Sequence, residues 1–264
     1  MRYLIKLEYD GTDFIGWQKQ KQGRSIQVIM EKALARFTGK DTPIVAAGRT
    51  DAGVHALGQY AHFDYDGKMP PHKMLPAFRR WLPEDIRVTQ ITAVGEELSA
   101  RYQAYERSYQ YILTRMRTPF NRYRAGFIPH LKIHTPAMLR AAPHFLGKHD
   151  FSSFGRLNPE VPNHSCEIKE LSIIEDGYDI IFTLRADRFL HNMVRRIVGT
   201  LVNISHFDLP GTRVDELLNE CNPKQTLVFT APACGLYLID VKYPADLLDG
   251  RITYKFDDLI RGKA

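Results

Sequence analysis

Apolar and polar residues alternate over residues 3–9, with Tyr3, Ile5, Leu7 and Tyr9 on one side and Leu4, Lys6 and Glu8 on the other. This alternation predicts a half-buried strand. The period then changes. In SIQVIMEKALARFTG the apolar positions Ile26, Ile29, Met30, Ala33, Leu34 and Phe37 are three and four apart, Ser25 stands where an N-cap belongs, and Gly39 follows the last turn. That is the pattern of an amphipathic helix with both ends marked. Residues 43–47 and 59–65 read as two more strands. A helical segment follows Pro70 and Pro71 and ends near Leu82, and 86–94 reads as a further strand. Pro76 opposes the second helix, because an interior proline removes a hydrogen bond and crowds the preceding turn.

A similar order recurs in the second half. RSYQYILTR reads as a strand, a helix opens at Thr135 and Pro136, and 167–174 and 178–185 are strands. FLHNMVRRIVGTL is strongly helical, with Leu190, Met193, Val194, Ile197, Val198 and Leu201 on one face. Another helix begins at Thr212, and GLYLIDVKY closes the chain as a strand. Pro143, inside the helix expected from Thr135, has no place in this scheme. Two βαββαβ halves joined near 101–105 predict two sheets, each with helices on one face, and a cleft between them as the place for a ligand.

Between two short apolar runs, residues 46–59 read AAGRTDAGVHALGQ. Gly48, Gly53 and Gly58 share one loop with a single acid, Asp51. Glycine allows backbone angles and close approaches that a β-carbon forbids, so something is expected to come near this loop. A carboxylate there can act as nucleophile or base, and Arg49 can grip a phosphate through its planar fork of donors. Asp-Ala-Gly is equally good turn chemistry, and by spacing alone the pair can simply close a turn.

The remaining composition narrows the classes. A chain of 264 residues with 44% hydrophobic content can bury a sizeable core, and no segment approaches the length needed to span a bilayer, so a soluble cytoplasmic protein is expected. Cys166, Cys221 and Cys234 make neither a disulfide framework nor a metal knuckle. The ten histidines include no HExxH pair, His55 and His62 lack further ligands at metal spacing, and no GxxxxGK or GxGxxG occurs, so no metal or nucleotide cofactor is indicated. Lysine and arginine exceed aspartate and glutamate by 36 to 30, giving a net charge of +6 that suits a polyanionic partner. RMRTPFNRYR interleaves Arg115, Arg117, Arg122 and Arg124 with Phe120 and Tyr123, a composition for phosphate contacts and base stacking or for a solvated loop. Arg195 and Arg196 fall on the polar side of their helix, either solvated or reaching in to a carboxylate. His191, beside the apolar face, reads as a packed surface histidine.

In order and spacing, YDGTDFIGWQKQ, SIQVIMEKAL, GRTDAGVHALGQYAHF, LPEDIRV, ERSYQYI, HDFSSF, FLHNMVRRIVG and APACGLYL resemble the tRNA pseudouridine synthase A family over nearly the whole chain. The resemblance implies an α+β fold of two RRM-like (ferredoxin-like) domains with antiparallel sheets flanking a basic cleft, expected here as 1–105, carrying the catalytic loop, and 106–264. It implies isomerisation of uridine in the anticodon stem-loop of tRNA, a homodimer, and no cofactor or metal. It places the catalytic role on Asp51, phosphate holding on Arg49, stacking against the target base on Tyr109, and pairing with the catalytic acid on Arg195. Two departures stand out: NHSCEI lacks an arginine that many relatives carry, and Leu98 replaces a usual phenylalanine.

The rival reading is a pair of RRM-like modules that bind RNA without altering it. It lacks the sheet aromatics of an RNP1-type pattern, and an acid in the glycine loop would repel RNA in a mere binder. A nuclease or glycosidase would want more carboxylates, and the nearest, Asp64 and Asp66, follow a strand and are expected to be exposed.

Overall fold

The N-terminal alternation folds as β1 (Arg2–Tyr9), with Ile5 and Leu7 fully buried and Lys6 and Glu8 partly exposed. The structure, a computed structural model, describes residues 1–156, 163–248 and 251–255. Next comes α1 (Ile26–Thr38), which buries Ile26, Met30, Ala33 and Leu34 and ends at Gly39, whose backbone N–H bonds Ala35 O. Ser25 occupies the N-cap position but its hydroxyl makes no capping bond; it is buried without a hydrogen-bond partner among the described residues.

The following strand is shorter than expected, β2 (Val45–Ala46), while β3 (His55–Asp64) begins four residues before 59. The reason is pairing: Tyr9 of β1 aligns with Ala56, which draws the end of the glycine loop into the sheet. The helix α2 (Pro71–Trp81) runs through Pro76, and β4 (Ile86–Val94) follows. Burial of Met74, Leu75 and Phe78, with Phe78 edge-on to Phe37 and Phe63, offsets the bond that Pro76 cannot make. The strands lie in the order β4-β1-β3-β2 and all pairs are antiparallel.

The second unit, Glu106–Tyr237, contains β5 (Glu106–Thr114), α3 (Thr135–Ala141), β6 (Gly147–Asp150), β7 (Ser165–Asp176), β8 (Asp179–Ala186), α4 (Met193–His206) and α5 (Arg213–Glu220). Its strand order is β5-β8-β7-β6, again antiparallel. Pro143 is now accounted for: the α-helix stops at Ala141 and Pro143 sits in a 3-10 turn, Ala142–Phe145. Leu190 and His191 precede α4 instead of lying on it, because Asn192 takes a left-handed conformation at its start. The strand β6 was not expected, since GKHD offers no apolar alternation.

The chain then forms β9 (Leu236–Lys242) and β10 (Thr253–Lys255). From Leu238 on, the chain belongs to the first unit with Met1–Tyr105, β9 lying next to β3 and β10 pairing with β4. The compact units thus differ from the expected bounds, 1–105 and 106–264, in where most of β9, and β10, fall. No helix among the described residues is long and apolar enough to cross a membrane.

Candidate active site

The loop between β2 and β3 is held from beneath by buried polar groups. Thr50, 7% exposed, shares a hydrogen bond of 2.9 Å between its Oγ1 and the Tyr9 hydroxyl. Gln59, fully buried on β3, donates from Nε2 to Gly48 O at 2.9 Å and reaches the same tyrosine oxygen at 3.5 Å. Buried polar groups persist only when partnered, so these contacts fix one arrangement of Gly48, Arg49 and Thr50.

From the side, the loop is braced by the turn that follows β1. Trp17 N–H donates to Thr50 O (3.1 Å), Gly53 N–H donates to Phe14 O (3.2 Å), and Gly16 forms an isolated antiparallel bridge with Asp51. Gly16 has φ of 104°, and a β-carbon there would stand 2.6 Å from Thr50 O; one at Gly11 would stand 2.0 Å from Val54 O. Two of the loop's own glycines meet the expectation, Gly53 with a φ of 76° and Gly58 with a would-be β-carbon 2.1 Å from Ile239 O, and Gly11 and Gly16 of YDGTDFIGW add further close approaches. Gly48 has nothing within 4 Å of its would-be β-carbon, so it does not serve the purpose the sequence suggested.

Asp51 is half-buried at this junction, and Arg49, two residues earlier, is exposed. His55 closes the far end of the loop. It is 2% exposed, accepts a hydrogen bond from Gly11 N–H at Nδ1 (3.0 Å), and has that nitrogen 3.2 Å from Asp10 Oδ1. Asp10 Oδ1 in turn accepts from the backbone N–H and hydroxyl of Thr12. Tyr9, Gln59 and His55 are supports that sequence reasoning missed. Their spacing carries no signal, because each meets the loop only after the sheet has formed.

The other two expected site residues lie in the second unit. Tyr109 is half-buried on β5 opposite Leu184 and meets the Phe189 ring edge-on at 5.1 Å. Arg195 stands in the first turn of α4, donating from Nε to Ala231 O (2.7 Å) and from Nη1 to Asn192 Oδ1 (3.1 Å). The segment that holds it also receives Tyr111, whose buried hydroxyl donates to Pro232 O at 2.9 Å. Burial, joined by the nearby Cys234, pushes the Tyr111 phenol well above its usual range, so it remains a neutral donor. The structure therefore places Asp51 and Arg49 on one loop of the first unit, and Tyr109 and Arg195 around the 187–195 turn of the second.

Neighbouring charges have separate employment. Arg196 does not lie on a solvated face: its guanidinium donates to Gly155 O (2.7 Å) and Pro223 O (2.8 Å), and burial lowers its pKa. Asp64 is exposed and gripped by both arms of Arg2 at 2.8 Å, which holds its carboxyl below the ordinary range. Asp66 is exposed beside Lys40. Of the two departures, Leu98 is fully buried as a core residue, and Cys166 in NHSCEI is a buried thiol pushed up to about 12. Among the described residues, no group of three or more His, Cys, Asp or Glu side chains is gathered as a metal site.

A family model described as tRNA pseudouridine synthase matches residues 6–103 and 141–244. The chain is 41% identical to a tRNA pseudouridine synthase A of Bacteroides fragilis, over 94% of this chain and 98% of that protein. It is 35% identical to the protein of that name in Exiguobacterium sibiricum (92% and 97% covered) and 38% identical to that of Pseudoalteromonas atlantica (92% and 93%).

Proposed function

We propose, from the premise that this chain belongs to the tRNA pseudouridine synthase family, that it isomerises uridine in the anticodon stem-loop of tRNA with Asp51 as its catalytic carboxylate. The family fixes the enzyme class, an isomerase that converts uridine of tRNA to pseudouridine. The choice of stem-loop and the role of each residue are our reading.

The reaction breaks the N1–C1′ bond, turns the uracil and joins its C5 to C1′; C5 loses a proton and N1 gains one. Atoms and electrons balance within the nucleotide, so no cofactor or co-substrate is consumed. A carboxylate can begin it by attacking C1′ and releasing uracil as an anion, or by adding to C6 of the base. Either route needs the base out of its stack and the carboxylate aimed before it arrives. The observation that carries the assignment is the bracing of Asp51: its loop is tied by the Gly16 bridge on one side and by Tyr9 and Gln59 beneath, which limits its motion at the reacting atom.

Around that centre Arg49, exposed on the same loop, holds a phosphate of the extruded nucleotide, and Tyr109 supplies a flat ring for the target base. Arg195 supplies a positive charge that pairs with the acid and aims it. The two halves work as RRM-like domains in a cytoplasmic homodimer. The strand order β4-β1-β3-β2 of the first unit supports the domain reading.

Release of tritium from tRNA labelled at uridine C5 tests this. Wild-type protein without added metal should release label, and Asp51→Ala should lower turnover by about a thousandfold or more while keeping much of the tRNA affinity. Arg49→Ala and Arg195→Ala should each cut turnover. Label that stays in place while wild-type protein binds tRNA would establish the binding-module reading instead.

A further inference from the structure

The connection between β5 and α3 lies outside the two segments that the family model matches. It presents aromatic rings to solvent: Phe120 is 93% exposed and Tyr123 is 50% exposed. These rings stand on a turn whose backbone is fastened at many points. Thr114 N–H donates to Gly126 O, and Gly126 N–H donates to Ile112 O, both at 2.8 Å. Asn121 ties the turn internally, its Oδ1 accepting from Thr118 N–H (2.7 Å) and its Nδ2 donating to Met116 O (2.9 Å). Tyr237 Oη donates to Arg124 O at 2.7 Å. A preordered turn spends little entropy when it presents an apolar ring to a ligand.

The charge of the turn is one-signed. RMRTPFNRYR has four arginines and no acid. Arg115 is engaged by Glu175 and by the Thr135 hydroxyl, and Arg117, Arg122 and Arg124 are exposed. The Arg122 guanidinium lies 4.5 Å from the Tyr123 ring centroid and donates to Pro119 O, so it is stacked and oriented.

We propose that residues 117–124 form a second RNA-contacting site, in which Phe120 stacks on an unpaired base and Arg117, Arg122 and Arg124 neutralise the flanking phosphates. Aromatic rings beside arginines and free of acids match the chemistry of single-stranded RNA. A second copy of the same turn would meet it with like charge. Tyr109, the ring given to the target base, lies five residues before the end of β5, roughly 17 Å along the strand from Thr114, so Phe120 is a second, separate ring. The identity of the RNA as tRNA rests on the reading in the preceding section.

Binding of an unmodified tRNA transcript to the full chain, followed by fluorescence anisotropy, tests the proposal. Phe120→Ala should weaken affinity about tenfold, and Phe120→Trp should restore it, with indole fluorescence quenched by tRNA beyond the change seen in wild type. Arg117→Ala, Arg122→Ala and Arg124→Ala should each reduce the slope of log K against log salt by about 0.7. Unchanged affinity in Phe120→Ala overturns the site. So does wild-type affinity in Phe120→Leu, which would mean apolar packing without stacking, and so does a shift in oligomeric state on sedimentation of Phe120→Ala, which would mean an interface between copies. Tritium release by the wild type is measured separately: its absence removes the catalytic reading and leaves this binding comparison intact.

Discussion

Gly16 and Asp51 are bridged across two segments 35 residues apart in sequence, with Gly16 at a φ of 104° that L side chains rarely adopt. The reacting group of the proposed chemistry is therefore positioned by a residue that has no side chain. Gly16→Ala should cost at least about 2 kcal/mol in urea unfolding, from the disfavoured backbone angle and the collision with Thr50 O. Turnover should fall further than the lost stability explains. Gly48→Ala, open on all sides, is the contrast and should leave stability within about 1 kcal/mol of wild type. Equal losses at both positions would mean that the loop is not held through Gly16.

Tyr9→Phe keeps the ring, and its packing against Trp17, while removing the hydroxyl shared with Thr50 and Gln59. Two buried polar groups then lose a partner, at a cost of about 1–2 kcal/mol. Because the loss falls beneath the loop, kcat should drop about tenfold with little change in tRNA affinity. A wild-type kcat would show that the hydroxyl serves folding alone.

His62 should make folding pH-dependent. It is buried on β3, accepts a hydrogen bond from Ala100 N–H at Nδ1 (3.0 Å), and its pKa is lowered by burial and then by the Arg2 charge, with Asp64 opposing. With the folded value below the unfolded one, stability is complete above about pH 6.5 and declines as the unfolded chain takes the proton first. The slope from this one group is at most about 1.4 kcal/mol per pH unit. His62→Asn retains an acceptor that does not titrate, so the difference in urea midpoint between pH 7.5 and 5.5 should shrink. An undiminished difference would assign the pH response to other groups.

The sequence by itself determined most of the elements and pointed to the candidate reactive group. Alternation at 3–9 and the three-four spacing at 26–37 report local burial, and β1 and α1 formed where those patterns lie. GRTDAG drew attention to Asp51 and Arg49 as an acid and a guanidinium in a glycine loop, and the family resemblance of that motif, not its spacing, implied their roles. Four features were decided only by tertiary structure. Most of β9, and β10, grouped with the first unit, since pairing partners far away in sequence leave no trace in a strand's own residues. Pro143 ended a helix in a 3-10 turn, and Pro76 was carried inside one by the burial around Phe78. The groups that hold Asp51 in place, Gly11, Gly16, Tyr9, Gln59 and His55, come from two separate stretches of chain, 9–16 and 55–59. Their hydrogen bonds and close approaches exist only once β1 and β3 are paired.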